Sequence, residues 1–226
     1  MAHEEHENLE ERMLHRMLFF TDAVFAIVLT ILVLELKPPE GHHEATLEAL
    51  QHARPHIGAF IFSFAIIGVF WVAHMNTTRR LAVFDWPVAL ANLVFLLPIS
   101  LLPYVTGWLG ADVAGAVTWA LYSSVLIAVS VTNIVVVLTA YRGGGRLIAG
   151  GAAPRERTFR LVRAGAPGIA FTVGLLMLAG GLTIAAHFCW VLIPITFRLA
   201  NLFLKPRPKA APRIAAEPEP EAAADT

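Results

Sequence analysis

Long apolar runs alternate with short polar stretches along the chain. Six runs separate, over residues 17–36, 56–74, 83–104, 113–141, 161–184 and 185–204. A helix rising about 1.5 Å per residue needs roughly 20 apolar residues to cross about 30 Å of hydrocarbon, so each run is long enough to span a bilayer. The last two are nearly continuous and are parted only by a weak polar signal around His187, which leaves five spans or a re-entrant pair as alternatives. Pro87, Pro98, Pro103, Pro167 and Pro194 lie within the runs. Membrane helices tolerate proline where neighbouring groups satisfy the freed carbonyls.

Charge placement decides between these counts. Arg12 and Arg16 precede the first run, Arg79 and Arg80 follow the second, and Arg142, Arg146, Arg155, Arg157, Arg160 and Arg163 follow the fourth. Arg198, Lys205, Arg207, Lys209 and Arg213 close the chain, so that of 17 Lys and Arg only Lys37 and Arg54 fall on the other face. Basic residues near span ends are held on the cytoplasmic side. Six spans in a cell membrane with both termini cytoplasmic are therefore expected; five would strand the C-terminal cluster on the wrong face.

Composition agrees with a membrane solvent. The chain is 57% hydrophobic and 15% charged, outside the usual balance of a soluble domain. Lys and Arg equal Asp and Glu, so no net basicity points to nucleic acid. The lone Cys189 rules out an internal disulfide and a multi-cysteine metal site. Residues 1–12, rich in Glu and His, lead into an apolar run that carries its own acid and no small-residue cleavage signal, which reads as a retained helix and not a signal peptide. Residues 205–226, dominated by Pro, Ala, Glu and Lys, read as a disordered cytoplasmic tail behind a six-helix transmembrane domain over 1–204. The outer loop 37–55 carries Glu40, Glu44, Glu48, His42, His43 and His52, with His56 at its edge. It is either a plain solvated loop or a mildly acidic vestibule whose histidines sense external acid or hold a transition metal adventitiously. The spacing matches no zinc pattern, so no metal site is assigned.

Chemistry concentrates in the first run, which opens Arg16-Met-Leu-Phe-Phe-Thr-Asp22. An acid at this depth is costly, so Asp22 must face protein, water or a counter-charge. The plainer alternative has Thr21 and Asp22 favouring a helix start while Arg16 snorkels to the headgroups. On an ideal helix of about 100° per residue, Phe20, Ile27, Thr30, Ile31 and Leu34 fall within about 60° of Ile27, and Asp22 lies about 140° away. Taken alone, that stripe is what any membrane helix shows.

The spacing Arg16, Phe20, Thr21, Asp22 resembles the Arg-x-x-x-Phe-Ser-Asp signature of the transmembrane protein 175 family of potassium channels, with Thr in place of Ser at position 21. The continuation AVFAIVLTILVLEL is similar to that family's first helix, and Trp71 with His74 resembles its Trp-x-x-His element. The resemblance implies an all-α integral membrane protein, six transmembrane helices per subunit, assembled as a homotetramer in membrane lipid without a Thr-Val-Gly-Tyr-Gly filter. It implies four first helices around the ion path, with the hydrophobic constriction at Ile27, Ile31 and Leu34 further outward and Thr30 offering a hydroxyl ring. Potassium ions would be the permeant species, with no cofactor. Glu35 near the outer mouth would concentrate cations. Arg16, Phe20, Thr21, Asp22, Trp71 and His74 would anchor the pore helix, although Trp71 and His74 also suit an interfacial belt.

Other polar residues are assigned more modestly. Asn92, Asn133, Ser123 and Ser124 suit hydrogen bonds between helices. Gly143-Gly-Gly145 lacks the Lys and Ser/Thr of a phosphate-binding loop and reads as a flexible connector. A secondary transporter is the alternative function, but only one half of the chain carries the Arg/Phe/Asp pattern, which disfavours an internal repeat. An enzyme is disfavoured because no nucleophile with its base is apparent.

Overall fold

The computed structural model describes residues 2–36 and 46–205, with side chains from Leu9 onward. The loop residues Lys37, Glu40, His42, His43 and Glu44 and the tail from 206 on lie outside the described residues. Among the described residues α-helices follow in the order α1 (Ala2–Ile31), α2 (Leu47–Thr78), α3 (Trp86–Ser100), α4 (Leu102–Ala111), α5 (Ala116–Ala140), α6 (Pro154–Ala179), α7 (Thr183–Ala186) and α8 (Leu192–Phe203). A 3-10 turn over Leu32–Glu35 prolongs α1, and α3 with α4 and α7 with α8 each make one span. Among the described residues six segments are thereby long and apolar enough to cross a membrane, from Leu9–Glu35 to Thr183–Phe203.

Local chemistry explains where the ends fall. Thr46 caps α2 by accepting from the Ala49 amide at 3.1 Å, so the helix begins well before residue 56 and Glu48, His52 and His56 are helical, not loop residues. Asp85 caps α3 by accepting from the Val88 amide at 3.2 Å, with Pro87 in the first turn where its missing N–H costs nothing. Pro103 cannot donate back into α3, and the third span breaks at Leu101 before continuing to Ala111. The turn between the last two spans comes at Gly180-Gly181, where Gly181 takes φ +79° and Leu182 N–H bonds the Met177 carbonyl at 2.9 Å. His187 comes only after α7, as its C-cap. The decisive signal was a glycine that can enter the left-handed region, not the histidine.

Hydrocarbon surrounding a span is as apolar as its leucines, so helices associate in a bilayer through close packing and polar bonds. α5 packs most extensively on α6. There a Cβ on Gly168 would come within 2.6 Å of Ser130 Cβ, so the two backbones approach only because Gly168 has no side chain. Across α2, α4 and α5, Thr106 donates to Ser63 Oγ at 2.8 Å and Ser63 pairs with the Tyr122 hydroxyl at 2.9 Å, all buried. Ser124 bonds the Ala120 carbonyl of its own helix and does not link helices. One apolar core runs through the spans with Phe25, Ile67, Phe95, Tyr122 and Phe171 at its centre.

A second core sits at the arginine-rich end, under the 142–153 loop. That loop is pinned: Leu147 and Ile148 are buried, Ala82 N–H bonds the Leu147 carbonyl and Ala149 N–H the Arg80 carbonyl, both at 2.9 Å. Gly145, at φ +79°, has no room for a Cβ beside Ala152. The glycine run is thus a shaped turn and not a slack connector. Buried Glu156 accepts from Arg80 at 3.0 Å, Arg160 at 3.2 Å and the Tyr141 hydroxyl at 3.2 Å.

Candidate ion path and its anchoring cluster

α1 runs along the edge of the subunit, with 22% of the residues in its most apolar stretch buried, the same share as in the last span, Thr183–Phe203, against 50% in the third. Its two faces differ sharply. Leu14, Thr21, Phe25, Val28 and Leu32 recur at helical spacing and are buried against the other helices. Phe20, Ile27, Thr30, Ile31 and Leu34 are exposed on the other side, with Ile27 at 54% and Leu34 at 66%. Thr30 donates its hydroxyl hydrogen to the Ile27 carbonyl at 2.8 Å, so the lone pairs of Oγ1 remain free on that face.

Polar contacts, one buried at Thr21 and one exposed at Asp22, tie α1 to its own subunit. Thr21 Oγ1 donates to the Met17 carbonyl at 2.9 Å and accepts from Asn92 Nδ2 of α3 at 2.7 Å. Asp22 Oδ1 accepts from the indole N–H of Trp71 in α2 at 2.9 Å. His74, one turn beyond Trp71, is buried and stacks on Phe95 with ring centroids 4.6 Å apart, and Phe25 of α1 packs on both rings at 6.5 and 6.0 Å. The structure therefore brings Thr21, Asp22, Trp71 and His74 into one cluster joining α1, α2 and α3. Arg16 and Phe20 stand apart from it on the exposed face, and Arg16 has no hydrogen bond or ion pair among the described residues.

Glu35 ends the helical extension of α1 and leans over Gly107 of α4, where an added Cβ would overlap the carboxylate Oε2. With His56, Tyr104 and Trp108 it lines a cavity of about 460 Å³ at the end opposite the arginines. His56 in turn covers Gly110, whose Cβ would lie 2.7 Å from the imidazole. Sequence reasoning missed this pairing of acid and glycine, and the only available signal was two glycines three residues apart in an otherwise bulky run. It also missed Asn92 as the specific partner of Thr21. Among the described residues no group of three or more His, Cys, Asp or Glu is placed to hold a metal ion.

The family model for the endosomal/lysosomal potassium channel TMEM175 matches residues 16–103. A potassium channel of Streptomyces collinus is 33% identical over 174 residues, covering 74% of this chain and 84% of that protein. This chain belongs to the TMEM175 family. The rat endosomal/lysosomal proton channel TMEM175 is 33% identical over 94 residues, 40% of this chain and 18% of the rat protein. The crystal structure of a lysosomal potassium-selective channel TMEM175 homolog from Chamaesiphon minutus shares the fold, with a TM-score of 0.69 at 22% identity over 84% of this chain and 99% of that one. All-helical architecture, six apolar spans and family membership together make this TMEM175 chain a multi-pass membrane protein.

Proposed function

We propose that this protein is a passive potassium-permeable channel in which four copies place their first helices around a shared axis, with the Ile27 side chains as the constriction. Relatives named as potassium channels support conduction over coupled transport. The single observation that carries the pore assignment is the division of α1. One edge is locked to its own subunit by Asn92 and Trp71, while Ile27, Thr30, Ile31 and Leu34 face away from it. A face left uncovered by its own subunit is available to line a central path.

Elementary hydration then gives the mechanism. An isoleucine ring narrow enough to expel water imposes a dehydration barrier, and the more weakly hydrated potassium crosses it more easily than sodium. The free lone pairs of Thr30, one turn outward, replace part of the lost shell. Glu35 raises the local cation concentration at the outer mouth. Both termini lie in the cytoplasm, at the arginine-rich end. No catalytic step or cofactor enters this scheme. Planar-bilayer recording of purified protein with potassium on one side and sodium on the other tests it: a current reversing toward the potassium equilibrium potential is expected, and saturable flux coupled to a second solute would replace the channel with a transporter.

A further inference from the structure

At the arginine-rich end, away from the ion path, a cavity of about 180 Å³ opens between α2 and α6. Asn76 lines it from α2, Arg79 from the position that caps α2, and Phe159, Arg160 and Arg163 from α6. Charge around it is unbalanced. Glu156, the buried carboxylate nearest in sequence, already serves Arg80, Arg160 and Tyr141. Arg160 donates Nη1 to the Asn76 carbonyl, yet its side chain is 10% exposed and its Nε has no partner among the described residues. Among those residues neither Arg79 nor Arg163 has a carboxylate within 4.0 Å. Arg163 makes one long hydrogen bond, to Asn201 Oδ1 at 3.4 Å, and otherwise rests against the rings of Phe197 at 4.5 Å and Phe159 at 5.6 Å.

Position makes this imbalance expensive. Arg163 lies beyond Leu161, where the apolar run of α6 begins, and a guanidinium at that depth calls for an anion or a path to water. Guanidinium forks match phosphate oxygens in both geometry and charge. At about 30 Å³ per water, the cavity holds one tetrahedral phosphate group with a little water beside it. Basic pockets between membrane helices on the cytoplasmic side are suited to anionic headgroups. We propose that this cavity is a binding site for a phosphate group, carried by an anionic lipid headgroup or free in solution, with Arg79 and Arg163 as its main donors and Arg160 Nε as a third.

The proposal is independent of the pore assignment. It is tested by measuring ligand retention on the full chain, purified in neutral detergent, by native mass spectrometry with phosphatidylglycerol, phosphatidylcholine or inorganic phosphate. Wild type is expected to retain phosphatidylglycerol over phosphatidylcholine. Arg79→Gln and Arg163→Gln should each lower that preference about tenfold, the size of one charge-assisted contact. Retention of inorganic phosphate, lost in the same variants, would support the site with a free phosphate as occupant. Equal retention of both lipids by wild type without phosphate binding, or retention unchanged in both variants, would overturn it. Arg79 is exposed, so its variant keeps the test open should Arg163→Gln fail to fold.

Discussion

Trp71 donates its indole N–H to Asp22 Oδ1 at 2.9 Å across the α1–α2 interface, which ties the acid of the first span to a helix inside its own subunit. Trp71→Phe keeps the ring and removes the donor, leaving the carboxylate without its partner. Hydrogen bonds between membrane helices average about 0.6 kcal/mol and reach about 1.7. We expect a loss within that range in detergent thermal unfolding. Asp22→Ala should do more, lowering the oligomer fraction in light scattering of the purified protein. Unaltered assembly in both variants would separate this bond from pore-helix placement.

Thr21 offers a cleaner case because its hydroxyl is buried. Thr21→Val has nearly the same volume yet leaves Asn92 Nδ2 unpaired, at a cost of about 1–3 kcal/mol. Thr21→Ser should restore most of it. The comparison is made by melting the variants in parallel, and a Val variant as stable as Ser would mean that Asn92 finds another acceptor.

At the outer end, Gly107→Ala places a methyl where Glu35 Oε2 now sits. A flexible carboxylate end moves readily, so the fold should survive while Glu35 is displaced. Single-channel potassium conductance is expected to fall at low ionic strength and to match wild type near 1 M salt, where the Debye length shrinks to about 3 Å. Equal conductance at both salt concentrations would remove Glu35 from the permeation account.

Gly168→Ala probes helix packing away from the path. Its Cβ would lie 2.6 Å from Ser130 Cβ on α5, and neither backbone can yield without losing contacts along the α5–α6 seam. Overpacking of this kind costs about 1–3 kcal/mol, readable as a lower melting point with conduction properties unchanged in the molecules that remain folded.

Particular residues show what was legible beforehand. The six spans were readable because each needs a long apolar run and because Arg79, Arg80 and the 142–163 arginines punctuate them. That Asp22 needed a partner was readable from an acid within an apolar helix, whereas its grouping with Thr21, Trp71 and His74 was suggested only by the family resemblance, since Trp71 and His74 equally suited an interfacial belt. The ends were less visible. Thr46 as a cap and Gly181 as a left-handed turn are single residues whose effect depends on backbone geometry, so the second span began earlier and the last turn came sooner than hydropathy implied. The Glu35–Gly107 contact was hidden because only tertiary packing tells which glycine makes room for which carboxylate. The division of α1 into a buried and an exposed edge was present in its periodicity, but hydropathy is the same on both edges and only the neighbouring helices reveal which is covered.

On the proposed path, Ile27 sets the narrowest, driest point. Recording Ile27→Asn beside wild type in planar bilayers, under opposed potassium and sodium, addresses it directly. A hydrated amide ring should raise the conductance and move the reversal potential away from potassium toward zero. Current and reversal potential both unchanged from wild type would contradict the assignment.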